Sequence, residues 1–268
     1  MLQYYESKYM EPMFMNPLYF TPPIFFVVAL VLSMLGMGGS QLYIPILFWL
    51  GMDFKTQAIP LGMLLNVVNS ASAAYTYGRA GLVEWKTAIT FGIFMIISAP
   101  IGTWTNLSLP TKPVIAIFAI FSSIAAILML SGWRPRRGCS SSKSKVTLGA
   151  VGGSVLGFFA GLIGRGGGSF VVPLLYMAGL EAKSAAATSA VVVTFSGISS
   201  FISHILTAAK PNWTLWILCV IAVFLGSQTG SRLMVRKLKP RSVKLIFGIV
   251  LLGVSALLLI KDVILEGG

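Results

Sequence analysis

The stretch that decides the fold is GRGGGSFVVP, residues 164–173, in which four glycines and one arginine interrupt a long apolar region. Glycine lets the backbone leave the helical conformation, and it has no side chain to shield its N–H group from a ligand. Arg165 places a charge among apolar residues, which is costly in a membrane unless something negative meets it. The stretch GMGGSQLYIP, residues 36–45, repeats the pattern 128 positions earlier. Two such breaks predict a duplicated membrane protein with a binding site between its halves.

Composition indicates a membrane location. Of the 268 residues, 56% are hydrophobic and 10% are charged, and the mean hydropathy is +0.86. A soluble domain carries about a quarter charged residues. The net charge of +13 is also typical of nucleic-acid binding, but the basic residues lie in short loops between apolar runs, as membrane orientation requires. We therefore predict a multi-pass protein of the cell membrane that contacts the lipid bilayer and no nucleic acid.

The apolar runs predict an all-α polytopic membrane protein. They occupy residues 18–36, 42–52, 57–78, 87–106, 113–132, 146–163, 169–180, 184–208, 213–231 and 243–261. Most are close to the roughly 20 residues that a spanning helix needs. The runs 42–52 and 169–180 would extend only about 16–18 Å as helices, against a hydrocarbon core of about 30 Å. Because both directly follow a glycine break, each is predicted to form part of a re-entrant hairpin or of a helix pair.

The offset of 128 also pairs Gly51 with Gly179 and Lys55 with Lys183, which predicts a duplication. We divide the chain into an N-terminal interfacial segment, a first transmembrane repeat, a basic linker and a second transmembrane repeat, at residues 1–17, 18–132, 133–145 and 146–268. The linker and the basic loop 232–241 are both predicted to be cytoplasmic. The chain between them then crosses an even number of times. Each repeat therefore has three transmembrane helices plus the hairpin, and the repeats are inverted.

The predicted substrate-binding residues lie at the two breaks and on the helices that follow them. Backbone N–H groups and the helix dipole make a helix start a binding site for anions. In the two repeats these residues are Gly38, Gly39, Ser40, Gln41 and Asn66, and Arg165, Gly166, Gly167, Gly168, Ser169, Thr188 and Ser189. The alternative for the glycines is that they only permit a tight turn, and the alternative for Asn66, Thr188 and Ser189 is a hydrogen bond to their own or a neighbouring helix.

Arg165 has no evident protein partner, because none of the seven acidic residues lies inside an apolar run. Its partner is then an anionic substrate, backbone carbonyl groups or an acid from a loop. The alternative is that its side chain extends to the membrane interface.

Other polar residues are predicted to be structural. Asn69, Thr194 and Ser196 lie in apolar runs, where such side chains more often bond their own or a neighbouring helix. Asp53 and Glu181, paired by the repeat, are predicted to cap the helices that follow them.

Motifs of catalysis are absent from the sequence. There is no HExxH, CxxC or Gly-x-Ser-x-Gly pattern, and the glycine run lacks the lysine of a phosphate-binding loop. The single histidine, His204, has no acid beside it, and a role in carrying protons is its lesser alternative. We therefore predict no enzyme, no cofactor and no metal site.

The two glycine–proline stretches, with Ala186-Ala187-Thr188-Ser189 after the second, resemble the TauE/SafE family of sulfite exporters. The similarity covers nearly the whole chain from about residue 24. It implies a secondary transporter of a small sulfur-containing anion, such as sulfite, thiosulfate or an organosulfonate, with access alternating about a midplane site between the breaks. Ser40 stands where the family usually has a third glycine. Arg165 stands where the family often has an apolar residue or glycine, and its positive charge fits an anion.

Two alternatives to a carrier stay open. The first is an anion channel of the same fold, and the second is a non-transporting membrane partner of a sulfur-metabolising enzyme. The second would require a large cytoplasmic surface, which the short loops do not supply. The predicted partners are the small anionic substrate and the bilayer, and a homo-oligomer is left open.

Overall fold

The computed structural model describes residues 20–109, 120, 123, 127, 131, 142–163, 171–172, 174–175, 179–206, 211–238, 242, 245, 249, 252–253 and 256. Within these ranges the chain is helical and holds no strand. The helices are α1 (Thr21–Met34), α2 (Ser40–Trp49), α3 (Ile59–Arg79), α4 (Trp85–Ser108), α5 (Ser142–Ile163), α6 (Ala182–Ile205) and α7 (Trp213–Arg236). A π-helical turn, Phe54–Ala58, leads directly into α3. The predicted all-α architecture is confirmed for this part of the chain.

Four predicted spanning runs are observed as α3, α4, α6 and α7. Three of these helices hold stretches long and apolar enough to cross a membrane, namely Trp85–Asn106, Ala182–Ile205 and Trp213–Arg236. Helix α3 has 21 residues, about 31 Å at 1.5 Å per residue, and carries several buried polar side chains. The predicted runs 113–132 and 243–261 lie largely outside the described residues.

The first glycine break reverses the direction of the chain. Gly36 and Gly38 have φ angles of +67° and +69°, which a residue with a side chain rarely adopts. Helix α2 then runs back along α1. As a result the ring of Tyr43, just after the break, packs on Phe25 near the start of α1, with ring centroids 4.9 Å apart. The break therefore forms the tip of a helical hairpin.

The contact between α3 and α6 lies at the centre of the described structure. These two helices run antiparallel. Asn66 in α3 lies beside Gly197 late in α6, whereas Tyr75 late in α3 lies near Val191 earlier in α6. Helix α4 packs on α6, and α7 packs on α3. The first break is held at this centre, since a methyl group on Gly36 would lie 1.8 Å from the carbonyl oxygen of Ala186.

Close helix contacts recur at the offset of 128. Helix α4 packs along α5, and α7 packs along α1. A methyl group on Gly102 would lie 1.9 Å from the carbonyl oxygen of Phe158, and one on Gly230 would lie 2.0 Å from that of Leu30. Both glycines let two backbones approach closely. The same contact therefore occurs once in each half, between residues 128 positions apart.

Helix bounds recur at the same offset. Helices α4 and α7 each have 24 residues and begin at Trp85 and Trp213. Gly51 and Gly179 have φ angles of +89° and +95°. The N–H of the residue after each glycine donates to the carbonyl five positions earlier, at 3.1 and 3.2 Å. This bond is typical of a helix end closed by a left-handed glycine, so the chain closes a helix in the same way in each half.

Basic residues collect at one end of the helices. Two bonds tie this end together: Ser184 Oγ donates to the carbonyl of Leu82 at 3.0 Å, and Lys183 Nζ donates to that of Val235 at 3.5 Å. The basic residues at this end are Arg79, Lys86, Lys143, Lys145, Lys183, Arg232, Arg236 and Lys237. Among the described residues Lys55 is the basic one at the opposite end, where its ammonium group donates to the carbonyls of Asn106 and Leu109.

Candidate functional site

Asn66 holds the backbone of the first break from a neighbouring helix. Its Oδ1 atom accepts the N–H of Gly39 at 2.7 Å and that of Ser40 at 3.2 Å. The side chain is fully buried in the middle of α3. It therefore does for α2 what a capping residue normally does from within its own helix. In this conformation two of the N–H groups that sequence reasoning offers to an anion, those of Gly39 and Ser40, are bonded to Asn66.

Gly38 fits this arrangement because it has no side chain. Its carbonyl accepts a hydrogen bond from Nδ2 of Asn69 at 2.9 Å. A methyl group at Gly38 would lie 2.0 Å from Oδ1 of Asn66. The two asparagines lie one turn apart on the same face of α3. Asn66 thus binds N–H groups of the break, and Asn69 binds its carbonyl group.

Several buried polar atoms around the break have no hydrogen-bond partner among the residues that the structure describes. They are Asn66 Nδ2, Asn69 Oδ1, Tyr43 Oη and Ser189 Oγ. Buried polar groups are nearly always hydrogen-bonded, and an unmade bond costs about 1–3 kcal/mol. Together these atoms offer donors and acceptors that a small polar ligand can use.

The two residues after Gly39 begin α2 and are buried. Ser40 and Gln41 are each 1% exposed. Nε2 of Gln41 lies 3.9 Å from the sulfur of Met37, a weak contact that joins the two sides of the break. The predicted residues Gly38, Gly39, Ser40, Gln41 and Asn66 are therefore brought together, and their role in binding a substrate stays a prediction.

Thr188 and Ser189 lie side by side on α6 but differ in their surroundings. The hydroxyl of Thr188 accepts the N–H of Glu84 at 3.0 Å, which positions the start of α4. Ser189 lies between Ala186, which contacts Gly36, and Val193, which contacts Gly38. Residues at these spacings share one side of a helix. Of the pair, Ser189 is the one that the structure places near the first break.

The second break lies outside the described residues, and with it Arg165, Gly166, Gly167, Gly168 and Ser169. Their role in binding a substrate stays a prediction. One described residue bears on this repeat: Thr194, the counterpart of Asn66 at the offset of 128. Its hydroxyl donates to the carbonyl of Ala190 in its own helix, at 2.7 Å. The second repeat therefore has no asparagine at the position from which the first break is capped.

Residues 23–258 match the family model described as Sulfite exporter TauE/SafE. The chain belongs to the sulfite exporter TauE/SafE family. No solved structure matches it.

Three curated relatives of this TauE/SafE chain are named as membrane transporters. "Probable membrane transporter protein MJ0441" of Methanocaldococcus jannaschii is 25% identical over 253 residues, which cover 88% of this chain and 92% of the relative. "Probable membrane transporter protein y4hK" of Sinorhizobium fredii is 29% identical over 247 residues, covering 88% and 95%. "Probable membrane transporter protein YunE" of Bacillus subtilis is 23% identical over 256 residues, covering 86% and 93%. The TauE/SafE chain is thus a member of a family of membrane transporters.

The two predicted helix caps of the TauE/SafE chain have opposite outcomes. Oδ1 of Asp53 accepts both the N–H and the hydroxyl of Thr56, at 2.8 and 2.7 Å, so this prediction is confirmed. These bonds, the N–H first, lower the pKa of Asp53 from its ordinary value of 3.8. Glu181 occupies the capping position of α6, but its side chain makes no capping bond, so that prediction is wrong. Its longer side chain is less suited than aspartate to reaching back to the helix start.

Of two further residues beside the first break, sequence reasoning identified one and missed the other. The structural role predicted for Asn69 agrees with its bond to the carbonyl of Gly38, and its position one turn from Asn66 places both amides on one face of α3. Tyr43 lies in an apolar run, where a tyrosine carries no signal of its own. His204 is the lesser candidate for proton transfer. Its Nε2 atom lies 3.2 Å from the carbonyl oxygen of Gly161, which links α6 to α5.

Proposed function

We propose that this TauE/SafE protein is a secondary transporter of the cell membrane that carries a small sulfur-containing anion by alternating access. Membership of the family supports transport across a membrane. One observation carries the location of the site. The first glycine break lies buried at the contact of α3 with α6, surrounded by hydrogen-bonding atoms that have no partner within the described part of the chain.

The proposed architecture is a pair of inverted repeats. Helices α4 and α7 match in length at the offset of 128, and the contacts of α4 with α5 and of α7 with α1 mirror each other. Helices α3 and α6 are equivalent by this offset, yet they run antiparallel. A two-fold axis in the membrane plane relates equivalent helices in this way, and it is the plan of many secondary transporters.

The hairpin of α1 and α2 is proposed to be re-entrant. Helix α1 has 14 residues and α2 has 10, which correspond to about 21 and 15 Å. Neither reaches the roughly 30 Å of the hydrocarbon core. Since α2 returns along α1, the hairpin would enter and leave on one side and place Gly38 inside the membrane.

The basic end of the helices is proposed to face the cytoplasm. Basic residues near the ends of membrane helices are retained on that side. The linker 133–145 precedes and overlaps the start of α5, which lies at the same end. The linker would therefore be cytoplasmic as well.

The two breaks are proposed to contribute different kinds of substrate contact. The first break offers Nδ2 of Asn66 and the hydroxyl of Ser189 as donors, while its own N–H groups at Gly39 and Ser40 are capped. In the second repeat Thr194 bonds its own helix instead. We assign to that repeat the charged contact through Arg165 and the N–H groups of Gly166, Gly167 and Gly168. Guanidinium and backbone donors bind oxyanions through charge-assisted hydrogen bonds.

Flux into proteoliposomes tests this proposal. The purified protein should take up sulfite, thiosulfate or an organosulfonate with a rate that saturates, as a carrier does and a simple pore does not. Arg165→Ala should lower the initial rate by roughly tenfold or more, the loss expected when a charged hydrogen bond is removed. Arg232→Ala removes an exposed basic residue of α7 and should leave the rate unchanged. An unaltered rate in Arg165→Ala would sink the assigned role of Arg165.

A further inference from the structure

A cavity of about 400 Å³ opens on the outside of the protein between α3, α4 and α6. We call it the α3–α6 groove. Its floor is Ala71, Ala74 and Gly78, which present small or no side chains along one face of α3. Val191 and Phe195 of α6 form the opposite wall. The result is an apolar trench whose shape fits a hydrocarbon chain.

The groove has a polar end at the C-terminus of α3. There the guanidinium of Arg79 donates to the hydroxyl of Tyr75 at 3.2 Å and lies 5.8 Å from the centre of its ring. Tyr75 is 63% exposed, and Trp85 across the opening is 53% exposed. Tyrosine and tryptophan at such positions mark the level of lipid head groups.

Arg79 has donors to spare. Within the described part of the chain its guanidinium makes polar contacts with Tyr75 alone, and no carboxylate lies within salt-bridge distance. A guanidinium carries five N–H donors, of which the tyrosine bond uses one. The arginine is thus free to bind an anionic group at the mouth of an apolar trench.

We propose that the α3–α6 groove binds an anionic phospholipid, with one acyl chain in the trench and the phosphate on Arg79. Guanidinium groups bind phosphate in a fork geometry that lysine cannot match. From Arg79 to Ala71 the trench runs about 12 Å, close to half of a hydrocarbon core of about 30 Å. The groove thus has the length of one leaflet, at the end of the protein where basic residues attract anionic lipids.

The bound lipid would touch both halves of the protein, since α3 and α6 belong to different repeats. A ligand that binds one conformation better than another stabilises it. Anionic lipid would therefore favour the conformation in which this groove is open. The inference requires that the protein lie in a membrane, but it does not depend on which anion is carried.

Lipid binding to the detergent-purified protein tests the inference, by native mass spectrometry and thermal unfolding. The probes are phosphatidylglycerol and phosphatidylcholine with identical acyl chains. Phosphatidylglycerol should bind preferentially, and Arg79→Gln should reduce that preference about fivefold, the effect of one basic residue at an anionic surface. Lys86→Gln is the matched control, because Lys86 is exposed at the same end and does not line the groove. It should keep the preference.

Two further measurements distinguish binding of the acyl chain from binding of the head group. Ala74→Phe fills the trench and should weaken the binding of both lipids. Inorganic phosphate should not reproduce the thermal stabilisation given by phosphatidylglycerol. The inference is overturned if Arg79→Gln keeps the preference, if Lys86→Gln loses it equally, if Ala74→Phe binds both lipids normally, or if phosphate alone stabilises as well as the lipid.

Discussion

Asn66 and Asn69 form their hydrogen bonds through different atoms of the same side-chain amide. Asn66 accepts through Oδ1 from the N–H groups of Gly39 and Ser40, whereas Asn69 donates through Nδ2 to the carbonyl of Gly38. Aspartate keeps the acceptor of asparagine and loses the donor. The same substitution at the two positions should therefore have different effects on folding.

Asn66→Asp should keep most of the thermal stability, because its carboxylate still caps two N–H groups at a helix start. Asn69→Asp should destabilise by about 1–3 kcal/mol, because an oxygen then faces the Gly38 carbonyl without a hydrogen between them. Unfolding of the two purified variants by heat or denaturant measures the difference. Equal destabilisation would contradict the assigned amide orientations. In transport, the added negative charge in Asn66→Asp should slow anion uptake even though the protein folds.

Asp53 and Glu181 allow a matched test of helix capping. Asp53→Ala removes the two bonds to Thr56 and should cost about 1 kcal/mol. Glu181→Ala removes no capping bond and should change the stability little. Because its bonds to Thr56 lower the pKa of Asp53 from 3.8, the ionised cap stabilises the fold above that value. Its contribution is then lost as pH falls through the lowered pKa.

The pH dependence of the Asp53→Ala effect follows from that sign. Wild type and Asp53→Ala should differ by the same amount at pH 7 and pH 5, and the difference should shrink below about pH 4. Thermal unfolding of the two proteins across this range is the measurement. A difference that grew on acidification would show that the carboxylate is not the stabilising form.

At the scale of helices, a single methyl group added at Gly102 or at Gly230 should lower the stability of the protein to a similar extent. Gly102→Ala would force α4 from α5, and Gly230→Ala would force α7 from α1, because the added carbon would lie about 2 Å from a carbonyl oxygen. Overpacking of this kind typically costs about 1–3 kcal/mol. Gly253→Ala, in open space among the described residues, should be tolerated. Thermal unfolding of the three variants tests this, and stability losses confined to one half would argue against equivalent contacts.

The long helices could be predicted from sequence to within a few residues because apolar runs are bounded by glycine, proline and charged residues. Asp53 was predictable too, since a cap acts on its own helix. The contacts of Asn66 with Gly39 and of Thr188 with Glu84 were not, since they join residues 27 and 104 positions apart. A polar residue in an apolar run indicates that its side chain needs a hydrogen-bond partner. Which residue is that partner depends on how the helices pack.

For the whole molecule, the uneven distribution of charge predicts its orientation. Lys86 lies at the basic end of α4, and Ser108 lies exposed at the other end. In a protein whose own cysteines, Cys139 and Cys219, have been replaced by serine, an impermeant maleimide should label Ser108→Cys on intact cells. Lys86→Cys should react only after the cells are permeabilised. The reverse labelling pattern would invert the proposed orientation.

The cap on the first break has a consequence for selectivity. To bind the N–H groups of Gly39 and Ser40, an anion has to displace the Asn66 oxygen. Because Asn66 belongs to the same chain, its oxygen competes at a high effective concentration. Water and neutral solutes offer no stronger acceptor than this amide, whereas a charged oxygen forms hydrogen bonds roughly twice as strong. The exchange would admit oxyanions, discriminate against neutral molecules and return the site to its resting state once the ion departs.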